Sequence, residues 1–455
     1  MQKIIVIGGG PAGYPAALEA ARLGAEVVLI EKQWLGGVCL NCGCIPSKSF
    51  LDAAHKWAVL PTLAAWSGEG ADELALQLIA KRDFAKIQAR QQKATQKLVQ
   101  GIQFLLKKAN VKVVMGTATL VDEHTVAVKT ESGSEMFQAD GIILATGSKA
   151  FFPPPFDAIQ AKIYDNSTLF SMPALPRSMA IIGGGVIGCE MADFLNALGV
   201  EVHIVEMQPR LLPLEEEGAS RALAQAFTKR GIKLHLGVSA QQASEIEDGW
   251  KITLSDGAEL QAEKILAAIG RAVDVAALQL DKVGVEATRK GVPVNPHTLQ
   301  LKNNIYAAGD ITGLCQLAHA ATRQGEVAAR NLCGVPAQYH NEAVPRAIYT
   351  SPEIAAVGLT RAQAEAQGHT VKAHKSFLLA NGRAVAQDQT EGYVELFSDA
   401  QTGQLLGASL VCAGAAELVH IISVALQANM TVAQLQEVIF AHPTLAESIA
   451  EAVRK

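Results

Sequence analysis

The chain has 455 residues, 49% hydrophobic and 18% charged, with a formal net charge of −5. This length predicts roughly two to four domains, the composition excludes a disordered chain, and the mild acidity offers nothing to nucleic acid or an anionic membrane. Seven cysteines, an odd number, do not form a secreted disulfide framework. With no signal-peptide pattern after Met1 and no uncharged apolar run long enough for a bilayer, the expectation is a soluble, cytoplasmic protein.

Ile4-Ile5-Val6-Ile7 is a short β-branched run that predicts a buried parallel strand. Gly8-Gly9-Gly10-Pro11-Ala12-Gly13 follows, a G-x-G-x-x-G on glycines 8, 10 and 13. Tyr14 to Leu23 then reads as a helix, and Val27 to Ile30 as a second strand ending at Glu31. This is the strand–turn–helix–strand context that a dinucleotide site requires. The glycines let the backbone approach a pyrophosphate at the positive end of the helix, and Glu31 is placed to accept from a ribose. A bare tight turn does not account for both strands and the acid in register.

Just beyond, Gly36 to Lys48 packs Cys39, Cys42 and Cys44 into six positions. Cys39 and Cys42 read as C-x-x-C, but no second such pair supplies the four ligands of a closed zinc site. Inert core thiols are the other plain reading. The flanking glycines, a helix start just beyond and Lys48 instead favour thiolate, so a redox dithiol is the better reading. Three cysteines allow three pairs, and spacing does not choose between them.

Asp83 to Lys108 has helical periodicity and an exposed character, with no chemistry assigned. Val111 to Leu120 and Thr125 to Thr130 read as strands. Ile142 to Gly147 reads Ile-Ile-Leu-Ala-Thr-Gly, and Phe151-Phe152-Pro153-Pro154-Pro155 reads as a linker. The first pattern then recurs. Met179 to Ile182 leads into Gly183-Gly184-Gly185-Val186-Ile187-Gly188, a helix through Leu198, and Val202 to Val205 ending at Glu206. In both copies the acid follows the first glycine by 23 residues (8 to 31, 183 to 206). Such an internal duplication implies two dinucleotides exchanging electrons. Glu206 would repel a 2′-phosphate and favours NAD over NADP, with Arg210 close by as the opposing charge. A second apolar strand, Ile265 to Ile269, runs into Gly270-Arg271.

Ile305-Tyr306-Ala307-Ala308-Gly309-Asp310 precedes Leu317-Ala318-His319, which begins a helix; His319 reads as structural. From about residue 340 the character changes, through Val344 to Glu353, Ala380 to Ala384 and Gly392 to Leu396. Phe440-Ala441-His442-Pro443-Thr444-Leu445-Ala446-Glu447 closes the series. An acid five positions after the histidine permits a His–Glu dyad, with Glu447 orienting His442.

The run from Gly36 to Lys48 resembles the G-G-T-C-L-N-x-G-C-I-P-S-K signature of the flavin-dependent pyridine nucleotide–disulfide oxidoreductases. It is more like the dihydrolipoamide dehydrogenase branch than the glutathione reductases, which carry G-C-V-P-K-K. The A-T-G, A-G-D and H-P-T-x-x-E segments continue the likeness in order over nearly the whole chain. Val38 replaces the usual threonine, Cys42 is an added thiol, and Phe440 stands where many lipoamide enzymes carry histidine.

The resemblance implies an α/β chain with two Rossmann-like domains, for FAD and then NAD, and a C-terminal α+β dimerisation domain. The implied segments are 1–150 for FAD, 151–270 for NAD, 271–338 returning to the FAD and central region, and 339–455 for dimerisation. It implies a Cys39–Cys44 disulfide, with Cys44 facing the flavin and Cys39 exchanging with substrate. His442, oriented by Glu447, would reach the dithiol of the other subunit of a homodimer. Implied FAD contacts are Gly8, Gly10, Pro11, Ala12, Gly13, Glu31, Lys32, Gly37, Val38, Lys48, Ala118, Thr146, Gly147, Asp310 and Ala318. Implied NAD contacts are Gly183, Gly185, Val186, Ile187, Gly188, Glu190, Glu206, Val238, Gly270 and Arg271, with Lys48 and Glu190 forming an ion pair beside the flavin. The implied activity passes electrons from dihydrolipoamide to NAD. The implied partner is a lipoyl domain of a 2-oxo-acid dehydrogenase complex or of the glycine cleavage system. The rival readings are an NAD(P)H-dependent reductase of another small disulfide, or a redox-sensing flavoprotein that turns over lipoamide poorly. The C-terminal residues carry none of the paired cysteines of mercuric reductases.

Overall fold

The computed structural model describes residues 1–273 and 275–454. Strand β1 (Lys3–Ile7) pairs in parallel with β2 (Glu26–Glu31) on one side and with residues 141–144 on the other. Ile4, Ile5 and Val6 are fully buried: Ile4 and Val6 pack with the apolar residues of two helices, including Ala16, Ala20 and Val327, and Ile5 packs on the other face with Leu120, Val126 and Val128 of an antiparallel sheet. The sheet has six strands, in the order 300–302, 305–307, 141–144, β1, β2 and β3 (Lys112–Met115). Residues 300–307 thus return to the first sheet after the whole second motif has intervened. Helix α1 (Gly13–Arg22) crosses between β1 and β2 and packs closely on the helix Ala318–Leu332.

The second motif builds a smaller copy. Its four-stranded parallel sheet has the order 233–236, 201–206, 178–182 and 264–267. Each of these sheets, the first parallel except for its edge strand 300–302, is accompanied by a three-stranded antiparallel sheet, 117–138 in the first body and 240–262 in the second. Residues 346–411 form a five-stranded antiparallel sheet backed by the helices Ala415–Gln427 and Glu447–Val453.

Three expectations need adjusting. The strand expected over Val111–Leu120 breaks at Gly116, where an added Cβ would lie 2.7 Å from the Lys129 carbonyl oxygen. The long helix α6 runs Phe84–Lys108, one residue inside the expected start, because Asp83 is its N-cap and accepts from the Lys86 amide at 3.3 Å. The cysteine run is itself helical: α2 (Gly37–Cys42) precedes α3 (Cys44–Ala58), and α4 (Leu60–Ala65) and α5 (Ala71–Ala80) follow as a hairpin.

The linker is half of a double crossing. Residues 148–150 pair antiparallel with 271–273, so the chain leaves and re-enters the first body side by side. The C-terminal body is tied to the second copy by Glu215, whose carboxylate accepts from Arg346 at 2.9 and 3.2 Å. Arg361 adds a backbone bond to Glu216 at 2.6 Å. Among the described residues no helix is long and apolar enough to cross a membrane. Arg346→Gln strands the buried Glu215 carboxylate and is expected to lower stability by about 2 kcal/mol, because Arg346 is itself partly solvated. Urea unfolding of the purified protein checks this; an unchanged midpoint would mean the pair contributes nothing.

Candidate active site

The dithiol loop is fastened to the first glycine loop by backbone alone. The Gly36 amide donates to the Gly9 carbonyl at 2.8 Å. Gly37, at φ +60°, lies so close that an added Cβ would come within 2.7 Å of Gly10 Cα. A side chain at Gly37 would push the cysteines away from the dinucleotide loop, and one at Gly36 would collide with Leu40 of the dithiol segment itself.

Cys39 lies in α2, and Cys44 opens α3. Gly43 joins the helices so tightly that an added Cβ would sit 2.9 Å from the Val38 carbonyl oxygen and 3.1 Å from Cys39 Cα. The close turn sets the two thiols against each other. Both are reduced here, and they share a hydrogen bond in which Cys39 donates. That bond, aided by the Lys48 charge, lowers the Cys44 pKa to about 7, while the shared proton and burial hold Cys39 well above the ordinary thiol range. The N-terminus of α3 contributes in the same direction for Cys44. Cys42 is different: it is buried, and desolvation pushes it up to about 11. It is a protonated core thiol at neutral pH.

Lys48 lies one turn along α3 and donates to both oxygens of Glu190 at 2.9 Å. Glu190 sits on α7 (Val186–Ala197), the helix of the second glycine motif, and is almost completely buried. Its Oε1 also accepts from the Tyr349 amide at 3.1 Å, and the Lys48 ammonium stands 4.5 Å from the Tyr349 ring centroid. One carboxylate therefore joins the dithiol helix, the second dinucleotide helix and the C-terminal body. Phe50 reinforces this joint, with its ring 5.1 Å from both Phe170 and Phe194.

Comparison with known proteins agrees with this geometry. Residues 2–325 match the pyridine nucleotide-disulphide oxidoreductase family, and residues 344–453 match its dimerisation domain. The chain belongs to this family. It is 37% identical over 459 residues to a dihydrolipoyl dehydrogenase of Bacillus subtilis, covering 99% of this chain and 97% of that one. A dihydrolipoyl dehydrogenase of Chlamydia muridarum is 36% identical, with coverage of 98% and 95%. Among solved structures, LpdA from Mycobacterium tuberculosis superposes with a TM-score of 0.92 at 29% identity, covering 100% and 99% of the two chains. The HOCl-induced flavoprotein disulfide reductase RclA from Escherichia coli superposes with a TM-score of 0.87 at 26% identity, covering 99% of each chain. The chain is thus an enzyme, an oxidoreductase acting on sulfur groups, whose family uses FAD and NAD(H). The dimerisation domain supports a homodimer.

The two glycine loops of this oxidoreductase carry the same device. Glu31 Oε2 accepts from the Gly9 amide at 2.6 Å, and Glu206 Oε2 accepts from the Gly184 amide at 2.6 Å. Glu31 Oε1 takes two more amides, Gln33 and Trp34, whereas Glu206 Oε1 takes that of Gln208. A carboxylate has about four acceptor sites, so each acid holds its own loop and keeps capacity for a ribose. Neither α1 nor α7 has a side-chain cap, which leaves the first-turn amides for a pyrophosphate. Thr146 has a buried hydroxyl without a partner among the described residues, the mark of a surface shaped for a ligand. These residues fit two dinucleotides.

The remaining expected residues are placed as follows. Pro11 and Ala12 lie beneath the Ala318–Leu332 helix, where Thr322 Oγ1 donates to the Pro11 carbonyl at 3.0 Å. Asp310 follows Gly309, whose amide donates to Gln324 at 2.8 Å, and the Asp310 carboxylate accepts from Ser148 Oγ. Lys32 is exposed beside Glu31, Val38 is half-buried in α2, and Gly147 precedes Ser148. Ala118 is buried in the strand Thr117–Leu120, and the Val238 amide donates to the Glu206 carbonyl at 3.2 Å. In the second loop an added Cβ at Gly185 would meet nothing, whereas one at Gly188 would collide with the Gly183 carbonyl oxygen.

Arg271, an implied NAD contact, has its guanidinium hydrogen-bonded at the double crossing. It donates to Ser148 Oγ at 2.8 Å, to the Ser148 carbonyl at 2.6 Å and to Asn166 Oδ1 at 3.0 Å. It braces the double crossing, with Gly270 accepting from the Phe151 amide at 3.1 Å. Arg210 is committed too, donating to the carbonyls of Pro213 and Glu215 at 2.7 and 2.8 Å, and so is drawn away from a 2′-phosphate. His319 donates to the Pro345 carbonyl at 2.7 Å, with burial lowering its pKa, and serves the fold.

His442 and Glu447 form the expected dyad, Nδ1 to Oε1 at 3.0 Å. The Thr444 amide donates to Glu447 Oε2 at 2.8 Å, and this bond, then His442, holds the carboxyl below its ordinary pKa. The His442 side chain is 79% exposed and has no hydrogen bond to either redox cysteine of its own chain among the described residues.

Sequence reading did not find the roles of Ser148, Asn166 and Tyr349, whose partners lie far away along the chain, or of Gln324, which accepts from the Gly309 amide 15 residues before it. Lys48→Met should slow reduction of the bound flavin by NADH at least tenfold, because Glu190 loses the cation that ties α7 to α3. Stopped-flow absorbance measures this directly, and an unchanged rate would break the proposed coupling.

Proposed function

We propose that this chain is a homodimeric dihydrolipoamide dehydrogenase, which oxidises a lipoyl group through Cys39 and Cys44 and delivers the electron pair to NAD. The supporting observation is the asymmetric thiol pair, one low and one high in pKa, at a helix N-terminus beside Lys48. Segment 1–150 with 271–338 would hold FAD, 151–270 NAD, and 339–455 the dimer contact. FAD would lie against Gly8 to Gly13, Glu31, Thr146, Asp310 and the start of the Ala318 helix. NAD would lie against Gly183 to Gly188 and Glu206.

The chemistry assigned to the protein's own groups is thiol exchange. His442 of the partner subunit takes the proton from one substrate thiol. The resulting thiolate attacks Cys39 Sγ; a substrate–Cys39 bond forms, the Cys39–Cys44 bond breaks, and Cys44 leaves as thiolate. The second substrate thiol then attacks the substrate sulfur of the mixed disulfide, closing the cyclic product and expelling Cys39, which receives the proton. The substrate is oxidised by two electrons, and the cysteine pair holds them with one shared proton, as the thiols are arranged here. Bound FAD supplies the two-electron relay between Cys44 and NAD.

The His442–Glu447 dyad has the base oriented, with Nδ1 held by the Glu447 carboxylate and Nε2 left for the substrate proton. The proposed partner is the lipoyl domain of a cytoplasmic 2-oxo-acid dehydrogenase complex or of the glycine cleavage system.

Turnover of dihydrolipoamide with NAD by single variants tests this reading. Cys39→Ser and Cys44→Ser should each lose at least about a thousandfold in kcat, since exchange cannot start or finish. Cys42→Ser should stay within about twofold, because its protonated thiol takes no part. His442→Gln should lose about 100-fold or more while NADH oxidation by an artificial one-electron acceptor persists. Wild-type protein that reduces NAD with another dithiol but not with dihydrolipoamide would move the substrate elsewhere.

A further inference from the structure

His442 stands on an irregular segment. Residues 437–446, between the helices Val432–Gln436 and Glu447–Val453, form neither helix nor strand, and the imidazole side chain is 79% exposed. A base on such a segment must be fixed in place before substrate arrives, because a misplacement of about 1 Å costs on the order of 100-fold in rate. Glu447 fixes the ring relative to its own helix. It does not fix the segment relative to the sheet behind it.

Asn381 makes that second connection. Its side chain is completely buried, at the cap of the short helix Gly382–Ala386. Oδ1 accepts from the Ala384 amide at 3.0 Å, the ordinary work of a helix cap. Nδ2 donates to the Thr444 carbonyl at 3.1 Å, 63 residues away in the chain. Thr444 is thereby held on both sides, since its own amide donates to Glu447 Oε2 at 2.8 Å and Glu447 Oε1 meets His442 Nδ1 at 3.0 Å. Its hydroxyl closes the segment on itself through the Ala441 carbonyl at 2.7 Å. The residue type argues for the second bond. Asp, Ser and Asn cap about equally well, but only the amide reaches two partners with separate acceptor and donor atoms. Nearby, Ser376 repeats the arrangement: its buried hydroxyl donates to the Ser448 carbonyl at 2.6 Å, at the start of the helix that carries Glu447.

We infer that Asn381 is a positioning residue for the base: through Thr444 and Glu447, its amide sets where the His442 imidazole stands. The inference rests on the reading of His442 as the base that serves the dithiol of the partner subunit. Its effect is confined to the half of the cycle in which dihydrolipoamide reduces the cysteine pair, since reduction of the flavin by NADH draws on no base at this position.

Stopped-flow absorbance of the flavin-loaded protein separates the two halves. Asn381→Ser keeps a cap oxygen and loses the atom that reaches Thr444. It should slow reduction by dihydrolipoamide about tenfold, while reduction by NADH holds within about twofold. Asn381→Asp keeps the length and the cap but sets an acceptor against the Thr444 carbonyl, and should slow the first step at least as much. The deciding readout is a double-mutant cycle. In a His442→Gln background, Asn381→Ser should cause no further loss, because the group it positions is gone; a purely structural change would add its own loss there. An unchanged rate with dihydrolipoamide, equal slowing of both half-reactions, or an additive loss in the double variant would each overturn the inference. Failure of both Asn381 variants to retain flavin would overturn it too, by making Asn381 a residue of the fold. A His442→Gln protein reduced by dihydrolipoamide at the wild-type rate would instead remove the reading of His442 as the base.

Discussion

The centre of this enzyme depends on one buried carboxylate. Glu190 belongs to the helix of the second glycine motif, yet its partners are Lys48 on the dithiol helix and the Tyr349 amide of the C-terminal body. A carboxylate so deeply buried is tolerated only because both oxygens are met, and Lys48 is held in turn by donating to both of them. The contribution to stability is about 2 kcal/mol, below the range for fully buried pairs, since Lys48 keeps 33% of its side chain in water. The greater effect is positional. With Phe50 wedged against Phe170 and Phe194, α3 cannot slide without disturbing the second dinucleotide helix.

The duplicated motif shows how one local solution serves two cofactor sites. In each copy a strand-end acid binds the middle glycine amide of its own loop, so the loop is shaped before a dinucleotide arrives. This is preorganisation, and it reduces the ordering cost of binding. The copies then diverge in what is laid upon them. The first receives the dithiol loop, through glycines that allow backbone contact, and the Ala318–Leu332 helix. The second is left open at Gly185, where an added Cβ would meet nothing.

What was legible in the sequence follows from how local each determinant is. Both glycine motifs, their strands and their acids were readable because they depend on contacts within a few dozen residues. The Asp83 to Lys108 helix was readable from its period. The Lys48–Glu190 pair and the Cys39–Cys44 choice came from resemblance, because spacing carries no information about partners 142 residues apart or about which of three thiols share a proton. Arg271 was read as a cofactor contact, and its guanidinium also braces Ser148 and Asn166, a role created by the antiparallel crossing of two distant segments. Arg210 was an open charge in the sequence, and in the fold its guanidinium is consumed by two carbonyls of its own loop. The α2 helix and the α4–α5 hairpin were missed for opposite reasons: α2 is too short to show a period, and the hairpin turns its apolar side outward.

The central claim is that Cys44, and not Cys42, is the thiolate that faces the flavin, held there by Cys39 and Lys48. It is tested most directly by reducing the flavin-loaded protein with two electrons, anaerobically, and following the long-wavelength thiolate–flavin absorbance against pH. The Cys44 pKa lies below the ordinary thiol value, so the thiolate should be present above the folded pKa and lost as pH falls through it. The account therefore predicts a band with a midpoint near pH 7, retained in Cys42→Ser and absent in Cys44→Ser. A band that survives in Cys44→Ser and disappears in Cys42→Ser would contradict it.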